Sequence, residues 1–112
     1  MKTVICDAFS MEMITHYVTD LIVDIRVELI SQYEAFVLLD TSKTGIHSYI
    51  EDKDVCSRFT ELLGFIIPVK TTDVKLGFDD TIVVGQLTNR SAVENSNGTI
   101  EPEYIWLRIR LK

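Results

Sequence analysis

Tyr104-Ile105-Trp106-Leu107-Arg108-Ile109-Arg110-Leu111 is the stretch whose reading decides the fold. Ile105, Leu107, Ile109 and Leu111 fall on one side, and Tyr104, Trp106, Arg108 and Arg110 on the other. A period of two is that of a β-strand, whose side chains point alternately to the two faces of a sheet. Large apolar groups stand on both sides near its start. Such a strand is covered on both faces or used in a dimer.

The neighbouring segments build outward from it. Thr88–Pro102 is polar, and its centre, Glu94-Asn95-Ser96-Asn97-Gly98, consists of turn formers, so it reads as a loop. Thr81–Leu87 is rich in Val and Ile and reads as a strand. Thr72–Phe78 alternates Val74, Leu76 and Phe78 with Asp73, Lys75 and Gly77, which predicts a second strand. Asp79-Asp80 joins the two as a hairpin.

Further upstream lies the clearest helix, Asp52–Leu63. Val55, Phe59, Leu62 and Leu63 form its apolar stripe, Asp52 and Asp54 suit its N-terminal end, and Gly64 suits a left-handed C-terminal cap. Asp24 is a cap candidate for another helix over Ile25–Glu34, because Ile25, Leu29, Tyr33 and Phe36 fall at helical spacing. Phe36–Leu39 and Gly45–Ile50 read as strands around the polar loop Asp40-Thr41-Ser42-Lys43-Thr44. Lys2–Cys6 is a short apolar run suited to a buried strand, Ser10 caps one helical turn at Met11–Ile14, and Tyr17–Val23 reads as a strand. The sum is a single α+β domain over residues 1–112: a mixed, mostly antiparallel sheet flanked by two or three helices.

Composition bounds the function. The 112 residues carry 17 acidic and 11 basic side chains, a formal net charge of −6. A chain of this length buries roughly 66% of its unfolded surface, enough for one core without a metal or disulfide staple. No apolar run reaches a membrane-spanning length of about 18 residues, and Lys2–Cys6 is too short for a signal-peptide apolar region. A cytoplasmic protein is therefore expected. The acidic balance excludes a general coat for long nucleic acid, which needs a basic face. All of the excess lies in residues 1–64; the remainder is neutral.

Chemical signatures are sparse. The five glycines are scattered, so no loop cradles a phosphate. His16 and His47 lack companions at metal-ligand spacing. Cys6 and Cys56 read as buried free thiols. Glu51, Asp52 and Asp54 read as an acidic helix start. Arg90, at a strand end, is a candidate phosphate fork.

The order of short motifs carries a resemblance. Asp7-Ala8-Phe9-Ser10-Met11-Glu12-Met13-Ile14 after a first strand, Ser48-Tyr49-Ile50 before a helix ending Leu62-Leu63-Gly64, Ile67-Pro68, the run Asp80–Arg90, and Tyr104-Ile105-Trp106 together resemble the viral ring nucleases. These are small type III anti-CRISPR proteins of archaeal viruses and phages. The resemblance covers about residues 2–24 and 45–110. It implies the fold of that family and a homodimer in the host cytoplasm whose cleft binds cyclic tetra-adenylate. It also implies a cleavage that uses neither metal nor cofactor. In that reaction a 2′-hydroxyl of the ring attacks the adjacent phosphate, and a histidine at the start of the central helix acts as general acid.

Carried over residue by residue, the resemblance assigns the ligand-binding positions Asp7, Ser10, Glu12, Asp52, Thr71 and Arg90. Only Ser10 and Arg90 keep the family's residue. The family's Gly-His pair falls on Glu51-Asp52, so the general acid becomes an aspartate. Its phosphate-binding arginine falls near Thr71, and its opening asparagine is Asp7. His47, on the strand leading to the helix, is the candidate replacement acid. Asp7, Glu12 and Asp52 would each repel a tetra-anionic ring by roughly 3 kcal/mol at about 6 Å and an effective dielectric near 20, before screening. The sequence thus predicts a counter-defence protein that binds or sequesters a cyclic nucleotide, with cleavage weak or lost. The alternative is a non-enzymatic protein whose acidic face docks on a host defence complex.

Overall fold

The structure, a computed structural model, describes residues 3–9, 24–42, 45–70 and 80–111. Its elements in chain order are β1 (Thr3–Cys6), β2 (Ile25–Ile30), α1 (Gln32–Asp40), β3 (Ile46–Ser48), α2 (Lys53–Leu63), β4 (Thr81–Leu87), α3 (Arg90–Glu94) and β5 (Tyr104–Leu111). The strands form one mixed sheet in the order β2-β5-β4-β1-β3. β5 lies antiparallel between β2 and β4, while β1 lies parallel to β4 on one side and to β3 on the other. The antiparallel ladders are the longer ones. The α+β architecture is therefore the one read from the sequence.

β1 and β4 are buried almost throughout, which is why both read as continuous apolar runs rather than alternating ones. β5 is covered on both sides: Trp106 is buried on one face and Ile109 on the other. α1 and α2 pack on the Trp106 face. Their Ala35, Leu39, Cys56, Phe59 and Leu63 meet Ile5, Ile30, Val83 and Trp106 of the sheet. Phe59 is fully buried, with its ring centroid 5.0 Å from that of Trp106 and 5.0 Å from that of Tyr104. On the opposite face Val4, Cys6, Ile82, Val84 and Ile109 form a second buried cluster.

α2 begins and ends as its sequence predicts. Asp52 is the N-cap, and Gly64 closes the helix in the left-handed region at φ 82°. The loop expected over Thr88–Pro102 is largely a loop, with the five-residue α3 inside it. Asn89 pins that loop: its Oδ1 accepts from the Glu103 N–H at 2.8 Å and its Nδ2 donates to the Glu101 carbonyl at 3.0 Å.

Three expectations are corrected. Ile25–Ile30 is a strand, not the first turns of a helix over Ile25–Glu34. Its residues also alternate, and pairing with β5 settles the ambiguity by setting Arg26 opposite Arg110 and Glu28 opposite Arg108. The helix starts later, at Ser31, through a reciprocal capping box: the Glu34 N–H donates to Ser31 Oγ at 3.1 Å, and the Ser31 N–H donates to Glu34 Oε1 at 3.4 Å. The expected strand at Phe36–Leu39 is consequently helical, with Ala35 and Leu39 turned into the core. No hairpin joins 36–39 to 45–50, because β3 pairs in parallel with β1 instead.

Along Thr81–Val84 both edges of β4 are taken, by β1 and β5. The strand expected at 72–78 lies outside the described residues. So do the helical turn at Met11–Ile14 and the strand at Tyr17–Val23.

Candidate functional site

β1 and β4 run in parallel and end beside the N-terminus of α2. Open α/β arrangements place ligand crevices outside such carboxyl ends. A cavity of about 270 Å³ lies here. Asp7 enters from the end of β1, Gly85 and Leu87 from β4, and Tyr104 from the start of β5. α2 and its cap contribute Asp52, Asp54, Val55 and Arg58, and α3 contributes Arg90, Val93 and Glu94.

Four carboxylates and two guanidiniums therefore share one cavity. Asp52 is already engaged: its Oδ1 accepts from the Asp54 N–H at 2.8 Å and the Val55 N–H at 3.4 Å. The first N–H groups of a helix are its natural anion-binding donors. Here the chain's own carboxylate occupies two of them, so an incoming phosphate meets a filled and negatively charged helix end.

The arginines differ in how firmly they are held. Arg58 Nη1 donates to the Tyr104 hydroxyl at 2.8 Å, and Tyr104 in turn packs edge-on against Phe59. That leaves most of the Arg58 fork available to a ligand. Arg90 is largely exposed and sits 3.9 Å from Glu94, an (i, i+4) pair of little energetic weight.

Gly85 forms part of the cavity wall for a packing reason. A Cβ there would stand 2.6 Å from Phe59 Cζ and 2.7 Å from Trp106 Cζ3. The bare backbone lets both rings close over the sheet, and their position supports Tyr104.

Of the site residues read from the sequence, the structure brings Asp7, Asp52 and Arg90 together in this cavity. Ser10, Glu12 and Thr71 lie outside the described residues. His47 is elsewhere. It pairs with Val4 on the sheet face turned away from α1 and α2, and its buried Nε2 has no hydrogen-bond partner. Arg58 and Tyr104 were not singled out as site residues by sequence reasoning. Tyr104 had a signal, an aromatic at the start of a strand whose far end is basic, but Arg58 had none beyond its place on the polar side of a helix.

Both cysteines are free and buried. Burial, reinforced by the charge of Asp7, pushes Cys6 up to about 12. Burial, followed by Asp7 and Asp52, raises Cys56 as well. Among the described residues no group of three or more His, Cys, Asp or Glu side chains is arranged to hold a metal ion. None of the described helices is long and apolar enough to cross a membrane.

The architecture is one found in a viral protein, a small α+β fold built on a five-stranded mixed sheet. The solved structure in question is B116 of Sulfolobus turreted icosahedral virus (STIV), similar with a TM-score of 0.73 over 98% of this chain and 99% of that one. The two sequences are 12% identical, so the likeness is one of fold. No protein-family model and no curated protein matches the chain.

Proposed function

We propose that this is a viral counter-defence protein that binds a cyclic oligoadenylate signal and holds it without efficient cleavage. The observation that carries this reading is the cavity beside the α2 N-terminus. It offers the anchored Arg58 and Arg90, at the start of α3, as phosphate donors, yet Asp52, the position to which the resemblance assigns the general acid, spends its carboxylate on helix capping. No histidine is among the cavity's described lining residues.

The cavity is also small for a ring of four nucleotides, since small-ligand pockets run about 300–1,000 Å³. A homodimer would provide the missing wall.

One observation favours a second reading. Asp7, Asp52, Asp54 and Glu94 give the cavity a surplus of negative charge, which suits a basic surface on a host defence complex.

Thermal melting with a panel of cyclic oligonucleotides tests the first reading, because a ligand that binds only the folded state must raise apparent stability. A shift with cyclic tetra-adenylate, with the ring recovered intact by chromatography, is expected. Rapid conversion to linear di-adenylate overturns the claim of lost cleavage. No shift with any ring, together with capture of a host defence complex that charge reversal at Asp52 and Asp54 abolishes, establishes docking instead.

A further inference from the structure

The opposite end of β4 and β5 carries a different charge pattern. Arg26, Glu28, Arg108 and Arg110 share one sheet face, with Arg26 directly across from Arg110 and Glu28 directly across from Arg108. Glu28 accepts from Arg108 through Nε at 3.2 Å and Nη2 at 2.5 Å, and from Arg110 Nη2 at 2.8 Å. Arg26 Nε lies 3.4 Å from the same carboxylate. Three guanidiniums thus converge on one carboxylate, in a chain whose net charge is −6.

Satisfying Glu28 does not require this many arginines. The Arg108 fork alone makes a bidentate pair with it. Arg26 and Arg110 add two further positive charges, and like charges directly opposite on neighbouring strands destabilise a sheet. Three guanidiniums carry about fifteen N–H groups against about four lone-pair directions on a carboxylate. No other described residue accepts from Arg26, Arg108 or Arg110. Their side chains remain 52%, 27% and 40% exposed, so the unspent donors reach solvent from a half-buried, oriented base.

We propose that Arg26, Arg108 and Arg110, held in one array by Glu28, form a binding site for a phosphate group. The two unbalanced positive charges match a phosphate dianion, and planar guanidinium forks match its tetrahedral oxygens better than ammonium groups would. An anion there turns the Arg26–Arg110 repulsion into a shared attraction. The site stands apart from the cavity beside α2 and does not depend on the function assigned to that cavity.

The experiment is a titration with inorganic phosphate at neutral pH, followed by phosphorus NMR and calorimetry, with ionic strength held constant by sodium chloride. Phosphoserine is titrated in parallel, and the tighter of the two probes tells whether the phosphate is free or carried on an ester. Saturable binding is expected with either probe. Arg26→Gln and Arg110→Gln should each weaken it about tenfold, the loss of one hydrogen bond to a charged group. Lys53→Gln, which removes an exposed positive charge elsewhere, should leave it unchanged. Arg26 is the most exposed of the three, so its variant keeps the fold and the test. Absence of saturation up to about 20 mM, where binding would be worth only about 2 kcal/mol, overturns the site. Equal weakening by all three variants overturns it too, since that is a general charge effect.

Discussion

Asp52 offers the sharpest test of how fold and site are coupled, because one carboxylate serves the helix and obstructs the cavity. Two substitutions separate these roles. Asp52→Asn keeps an oxygen that can accept from the Asp54 and Val55 N–H groups but removes the charge. Asp52→Ala removes both. Loss of an N-cap acceptor costs about 1 kcal/mol and up to about 2. Loss of the charge alone costs about 0.3 kcal/mol at an exposed helix start. For a domain of this length, about 1 kcal/mol lowers Tm by roughly 4–5 °C. The alanine variant should therefore melt roughly 4–10 °C below the parent and the asparagine variant within about 2 °C of it. Binding should move the other way. Removing a like charge at about 6 Å is worth roughly 3 kcal/mol unscreened. Asp52 is exposed, and solvent cuts this to about 1 kcal/mol, or about fivefold tighter cyclic tetra-adenylate for both variants. Calorimetric melting and equilibrium titration read the two effects. If alanine melts no lower than asparagine, the capping account is wrong. If neither variant binds more tightly than the parent, the carboxylate is not the obstacle and the electrostatic reasoning fails.

Three further outcomes are expected. Gly85→Ala should cost about 2–3 kcal/mol in chemical denaturation, because its Cβ would press into the buried rings of Phe59 and Trp106; the same change in a Phe59→Leu background should cost less. Hydrogen bonding to Arg108, helped by Arg110 and Arg26, holds the Glu28 carboxyl down from 4.5 to about 2, so its contribution to stability is present above pH 4.5 and is lost as the pH falls through 2. Acid unfolding of Glu28→Gln should accordingly show a shallower decline over that window than the parent. Cys6 and Cys56 should resist alkylation by iodoacetamide at pH 8 in the folded protein and react fully in denaturant, since both are buried with thiol pKa values raised; rapid labelling of the native chain contradicts the packing described.

Much of this fold is written locally. β1, β4 and β5 declare themselves by apolar runs or clean alternation, and α2 by its stripe, its Asp52 cap and Gly64. The Ser31-x-x-Glu34 signature also stood in the sequence, but the helical spacing of Ile25, Leu29 and Tyr33 ran across it. That segment satisfies a period of 3.6 and a period of 2 together, and only the hydrogen bonds of a partner strand separate them. The candidate site divides in the same manner. Asp7, Asp52 and Arg90 were legible through motif order, whereas Arg58 gained meaning only when Tyr104, 46 residues away, accepted its hydrogen bond.

The sequence by itself determined the α+β class, the ends of α2 and an acidic N-terminal half, because alternation, capping and charge are properties of neighbouring residues. The tertiary structure decided that Ile25–Ile30 is a strand, that β1 runs parallel between β3 and β4, and that carboxylates and arginines from β1, α2, α3 and β5 face one cavity. It also gathered three arginines around Glu28 across some 80 residues of chain. Strand pairing sets these meetings, and pairing is chosen by backbone hydrogen bonds and burial between remote segments, which no local spacing encodes.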